Sequence, residues 1–244
     1  MDETEVDLPG LTVAAGTQVG HRYDANYDVL HLSPDRLLVV VADGMGSGPG
    51  PATAGRVGVS RFVAGVRGAP VSAAGLRAAV ADAQVRVRAE GAALGQLTGC
   101  TLTALVAAAE PGSAWIVQLG DSRAYRLRDG LLELLTVDHT TAWLGAVYGW
   151  FAPDSPAARS ARYQLSRYLG HPDEPEPDLL NVSLRSGDVL CVCTDGLAEE
   201  VSYQRLAAVL GGAAQPRDAV RDLLADALAA GGRDNATVAV VRVD

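Results

Sequence analysis

The run Leu37-Leu38-Val39-Val40-Val41-Ala42 passes directly into Asp43-Gly44, and this junction restricts the folds open to the chain more than any other stretch. Six consecutive apolar residues, three of them valine, describe a strand covered on both faces; a strand with one wet face would alternate. A carboxylate at the tip of such a strand is costly to desolvate unless a cation or a set of donors meets it. The pattern returns twice. Val189-Leu190-Cys191-Val192-Cys193-Thr194 leads into Asp195-Gly196, and Asp234-Asn235 stands directly before Ala236-Thr237-Val238-Ala239-Val240-Val241. If these three strand ends meet, their oxygens make a site for a hard cation.

Asp-Gly is also a strong hairpin signal. A two-residue hairpin needs a second strand at once, and neither junction has one. Asp43-Gly44 is followed by Gly46-Ser47-Gly48-Pro49-Gly50 and a helical pattern, Asp195-Gly196 by Leu197-Ala198-Glu199-Glu200 and another. Asp129-Gly130, between two short strand patterns, does read as a turn.

With 244 residues, 48% of them hydrophobic, the chain can bury roughly three quarters of its unfolded surface without a disulfide or metal staple. We expect a flexible acidic tail over residues 1–10 and a single domain over 11–244. The net charge of −9 argues against nucleic acid as a partner, because phosphate backbones are bound by basic faces. Three cysteines fit neither a disulfide framework nor zinc spacing. Cys191 and Cys193, two apart on a strand, face one side as small core residues. The acidic start carries no signal-peptide pattern, and no apolar run approaches the ~20 residues that span a bilayer. The expectation is a cytoplasmic protein with no membrane association.

In chain order, short strands are expected at 11–15, 29–32 and 36–42. Helices follow at 51–66 and from an N-cap at Ser72 to about Glu90, with Gly91 ending the second. Strands recur at 101–108, 113–119, 123–128 and 131–135. From Thr136 to Pro177 the pattern weakens, with one helix expected over 157–169. Strands at 180–184 and 188–194, helices at 202–210 and 216–230, and the last strand complete the chain. Two helical blocks among antiparallel strands suggest helices outside two stacked sheets.

Eight segments, in order, carry a resemblance: Arg22 to Asp28, Val41 to Gly46, Gly99-Cys100-Thr101, Leu119 to Tyr125, Leu135 to His139, Arg167 to Gly170, Cys193 to Gly196 and Arg233-Asp234-Asn235. The chain resembles the metal-dependent protein phosphatases, the type 2C serine/threonine phosphatases, in their short bacterial form. That resemblance implies an α+β fold, a four-layer α-β-β-α sandwich of two mainly antiparallel sheets. It implies two Mn²⁺ or Mg²⁺ ions and a third, weaker one. Asp43 would bridge the pair, with Gly44 lending its carbonyl and Asp195 and Asp234 completing the second position. Asp28 would lie close by, Asp121 would hold the third ion, and Arg22 would grip substrate phosphate. The implied activity is hydrolysis of phosphoserine and phosphothreonine in proteins by a water bridging two metals, in a monomer opposing a serine/threonine kinase. Carboxylate and carbonyl oxygens suit such cations, and no protein nucleophile is needed. The sequence departs from the pattern at Tyr27, where the family carries Glu or Gln, and in the spacing of Arg22. These departures motivate a second reading, a regulatory module with feeble catalysis. A third reading is a phosphatase of small phosphates.

Overall fold

The computed structural model describes residues 2–96, 98–152 and 155–244; Met1 of the expected tail and residues 153 and 154 of the weakly patterned stretch lie outside them. The chain opens with β1 (Asp2–Leu8), β2 (Leu11–Gln18), β3 (Val29–Leu32) and β4 (Leu38–Ala42), then α1 (Pro49–Gly68) and α2 (Ala73–Leu94). Next come β5 (Leu102–Ala107), β6 (Ser113–Leu119), β7 (Arg123–Arg128), β8 (Leu131–Leu134), α3 (Thr141–Tyr148) and α4 (Pro156–Ala161). It ends with β9 (Asp178–Ser183), β10 (Val189–Cys193), α5 (Asp195–Ala198), α6 (Tyr203–Gly212), α7 (Pro216–Ala229) and β11 (Ala236–Val243).

Among the described residues the strands form two antiparallel sheets, ordered β1-β2-β11-β10-β7-β8 and β3-β4-β5-β6-β9. Side-chain alternation builds the layers. Along β4, Val39 and Val41 join Leu190, Val192, Ala239 and Val241 in the core between the sheets. Leu38, Val40 and Ala42 instead pack on Phe62 of α1 and Val80 of α2. Along β10, Cys191 and Cys193 turn together toward Leu206 of α6 and Leu223 of α7. Each central strand is therefore covered twice, which is why it reads as unbroken apolar residues. The order of layers is helix, sheet, sheet, helix, and the three cysteines are free and buried.

Local signals explain several helix ends. The hydroxyl oxygens of Ser72 and Ser202 accept from Gly75 N–H at 3.1 Å and Arg205 N–H at 3.2 Å, capping α2 and α6. Gly91 does not end α2. The helix continues to Leu94, and Gly95, at φ 64°, supplies the left-handed stop.

Two further expectations are corrected. Residues 2–8 are not a loose tail but strand β1, paired with β2 from Asp2 opposite Thr17 to Leu8 opposite Leu11. Glu3 and Glu5 find arginine partners on α7, Arg221 at 3.5 Å and Arg217 at 3.6 Å. The expected helix over 157–169 stops at Ala161. Beyond it, Gln164 O accepts from Thr141 N–H at 2.8 Å and Leu169 N–H donates to Cys100 O at 2.9 Å, so the backbone is committed to strand-like bridges. Helix α3 was not foreseen: Thr140 caps it, accepting from Trp143 N–H at 3.2 Å, but its residues are nearly all apolar and show no helical stripe. Among the described residues no helix is long and apolar enough to cross a membrane.

Candidate metal centre

The site is built where strand ends of both sheets come together. Asp43 follows the last residue of β4, and its N–H donates to Thr101 Oγ1 at 2.8 Å while its carbonyl accepts from Thr101 N–H at 2.8 Å. Gly44 N–H donates to Tyr27 O at 3.2 Å. A Cβ on Gly44 would lie 2.8 Å from Pro51 O and 2.9 Å from Tyr27 O, so this turn admits glycine alone. Val29 pairs with Ala42, which sets Asp28 beside Asp43.

Asp28 is held across the sandwich. Its Oδ2 accepts hydroxyl hydrogens from Thr194 at 2.8 Å and Thr237 at 2.6 Å, both from the other sheet's strand ends. Asp195 opens α5, whose Gly196 packs so closely on the Asn235 backbone that a Cβ would collide with it. Asp234 Oδ1 accepts from Asn235 N–H at 2.8 Å, and Asn235 Oδ1 accepts from Tyr27 N–H at 2.8 Å. The three strand ends are thus joined by backbone and side-chain bonds rather than by packing alone.

Arg22, Tyr23, Asp43, Met45, Gly46, Asp121, Tyr163, Leu165, Asp195 and Asp234 line one cleft of about 630 Å³. Arg22 is the one cation among them. Burial drives the Asp43 and Asp195 carboxyls well above the usual range. The charges of Asp195, Asp28, Asp121 and Asp234 push Asp43 further up, and those of Asp121, Asp234 and Asp28 do the same to Asp195. Burial lifts Asp28 to about 6 against the opposing bonds from Thr237 and Thr194. Asp121 rises to about 7, through burial and then the nearby charge of Asp138. Asp234 is raised by burial, which the Asn235 N–H and Arg22 oppose.

Two carboxylate oxygens, Asp28 Oδ1 and Asp195 Oδ1, are buried with no hydrogen-bond partner. Unpaired buried carboxylate oxygens in a cluster of like charges need positive charge close by. Hard divalent cations fit this donor set, which is all oxygen. Among the described residues no three Asp, Glu, His or Cys side chains close around a single point. A bound ion would therefore draw on backbone oxygen and water as well as on these carboxylates.

Of the residues expected from sequence, Asp43, Asp121, Asp195, Asp234 and Arg22 line the cleft, while Gly44 and Asp28 lie buried beneath it. The sequence reading missed Tyr23 and Tyr163, which share the lining, and the two threonines that hold Asp28. Thr194 and Thr237 were visible as polar residues in apolar strand ends; Tyr163 gave no signal. The residue before it, Arg162, pairs at 2.5 Å with Glu199, which follows the last residue of α5.

Comparison with known proteins gives concordant results. Residues 16–230 match the family model described as protein phosphatase 2C. The serine/threonine protein phosphatase PstP of Mycobacterium tuberculosis is 36% identical over 146 residues, covering 59% of this chain but only 27% of that protein. The crystal structure of the Mycobacterium tuberculosis phosphatase PstP/Ppp superposes with a TM-score of 0.85 at 30% identity, covering 96% of this chain and 99% of the other. A second structure, the catalytic domain of PstP in complex with two manganese ions, gives 0.83 at 30% identity, covering 96% and 99%.

Proposed function

Because this chain belongs to the protein phosphatase 2C family, we propose that it hydrolyses phosphoserine and phosphothreonine in proteins, using two Mn²⁺ or Mg²⁺ ions and a third, weaker one. The observation that carries this reading is the pair of buried, unpartnered oxygens on Asp28 and Asp195 within a cleft lined by further carboxylates. Asp43, Asp195 and Asp234 would hold the two principal ions with the Gly44 carbonyl, Asp28 would sit beside them, and Asp121 would take the third. Bound there, such ions supply Lewis-acid charge and an activated water for in-line attack on a phosphomonoester.

The chain's own residues have narrower tasks. The Thr194 and Thr237 hydroxyls hold Asp28 in one orientation, with Oδ1 unpaired. Arg22 lines the cleft and has no ion-pair partner within 4 Å among the described residues, so its planar fork is free for two phosphate oxygens. Within this reading the substrates are phosphoproteins made by an opposing serine/threonine kinase, met in the cytoplasm by a monomeric enzyme.

The test is release of inorganic phosphate from phosphoserine and phosphothreonine peptides by the purified protein with Mn²⁺. Activity should vanish in chelator and in Asp43→Ala and Asp195→Ala. Metal binding without release from any phosphopeptide would instead support a regulatory module. Faster turnover of small phosphates than of peptides would point to a different substrate class.

A further inference from the structure

A phosphate monoester brings several strongly accepting oxygens into the cleft, yet most polar groups lining it are carboxylates, which repel that charge. The described lining offers few side-chain donors. Arg22 is one, and Tyr23 is its neighbour in both sequence and space.

Tyr23 is half-buried and held on two sides. Its ring meets Tyr27 edge-on, centroids 5.9 Å apart at 86°, and the Arg22 guanidinium carbon lies 5.7 Å from its centroid. The hydroxyl donates to no described residue. Burial, then the charge of Asp234 and those of Asp43 and Asp195, resist its ionisation against the opposing charge of Arg22. A phenol, which ordinarily titrates near 10, keeps its proton across the neutral range. A protonated phenol carries one O–H donor and no charge to offer a metal ion.

We propose that the Tyr23 hydroxyl is a phosphate-binding donor that acts beside Arg22, contributing one hydrogen bond to a phosphoryl oxygen. The assignment rests on the phosphate-ester reading of this cleft. It makes Tyr23 a substrate-contacting residue and Tyr27 its support. No proton changes hands in this role, so the contact should operate across the whole neutral range.

Tyr23→Phe is the direct test, because phenylalanine keeps the ring that packs on Tyr27 and Arg22 and removes only the O–H. Binding of inorganic phosphate to the Mn²⁺-loaded protein is measured by calorimetry, alongside kcat/KM on a phosphoserine peptide. Phosphate affinity is expected to fall about tenfold, as for loss of a hydrogen bond to a charged group, with Mn²⁺ affinity and Tm unchanged. Equal phosphate affinity in Tyr23→Phe and the parent protein overturns the assignment, as does a parent protein that binds Mn²⁺ but no phosphate. A parent protein that binds phosphate yet releases none from any phosphopeptide removes the hydrolytic reading alone, and the binding comparison still decides the role of Tyr23.

Discussion

Thr237 and Asp28 are 209 residues apart and share a hydrogen bond of 2.6 Å that joins the two sheets at the site. Thr237 Oγ1 also lies 2.7 Å from Thr17 Oγ1, and Asn26 Nδ2 donates to Thr17 Oγ1 at 2.8 Å, so the bond belongs to a network. Thr237→Val preserves shape and removes the hydroxyl. We expect a loss of about 1–3 kcal/mol, since a buried acceptor is left short of a donor. The fall should appear as a lower urea midpoint with unchanged slope. Mn²⁺ binding by calorimetry should weaken as well, because Asp28 then keeps one of its two threonine hydroxyls, and Thr237→Ser should recover most of both losses. A Thr237→Val protein that binds Mn²⁺ normally would remove the positioning role.

The carboxylate cluster makes the metal-free protein respond to pH in a definite direction. In the folded state Asp28 is raised to about 6 and Asp121 to about 7, against about 3.9 for an unfolded aspartate. Folding therefore favours the protonated forms. The associated stability is fully present below the unfolded value and is lost as pH rises through 6 and 7. In chelator, Tm should be higher at pH 5 than at pH 8, by on the order of 5 °C. Saturating Mn²⁺ should reverse that order, since the ion binds the ionised carboxylates and stabilises the state that holds it. A chelated protein whose Tm rises from pH 5 to pH 8 would contradict the clustering.

Gly44 offers a steric test with an internal comparison. A methyl group there would meet backbone oxygens on two sides, Pro51 O at 2.8 Å and Tyr27 O at 2.9 Å, and backbone yields less readily than a side-chain tip. Gly44→Ala should cost about 1–3 kcal/mol as overpacking and weaken Mn²⁺ binding by shifting Asp43. At Gly212 nothing lies within 4 Å of an added Cβ. Gly212→Ala should leave stability equal or up to about 1 kcal/mol higher, through lower unfolded-state entropy. Denaturant unfolding of the two variants side by side separates a crowded turn from a general intolerance of alanine.

The central layers were legible because they depend on local pattern. Asp43 and Asp195 announced themselves as Asp-Gly pairs without a following strand, and the doubly covered β4 and β10 as unbroken apolar runs. What escaped depends on distant residues. The acidity of residues 2–8 suggested solvation, because the arginines that answer it, Arg217 and Arg221, come more than 200 positions later. Helix α3 has no polar face to set a period, so only its Thr140 cap could have revealed it. Residues 162–169 continue a helical composition, yet their backbone bonds go to 139–141 and Cys100. Tyr23 looked like one aromatic in a turn-rich stretch until folding brought it beside Asp43, Asp195 and Asp234.

His139 pins the turn that carries Asp121, and its proton position follows from its neighbours. Gly120 N–H donates to His139 Nδ1 at 3.1 Å, so Nδ1 is unprotonated; Nε2–H then donates to Asp178 Oδ2 at 3.0 Å. His139 N–H returns a bond to Gly120 O at 3.0 Å. Gly120 is itself constrained, at φ +106° with Thr101 against it. Burial holds the imidazole below its ordinary pKa, against the opposing bond to Asp178. A lowered folded value means stability that is present above the unfolded value of about 6.5 and lost as pH falls toward the folded one. Protonation would also remove the lone pair that receives the Gly120 amide. His139→Leu should therefore cost about 1–3 kcal/mol at pH 7.5, for the orphaned Gly120 donor. The gap from the parent protein should shrink at pH 5.5, where the parent has begun to lose the same bond. Urea unfolding at the two pH values checks this, and a gap that stays constant or widens on acidification would show that His139 serves the turn by packing and not through its lone pair.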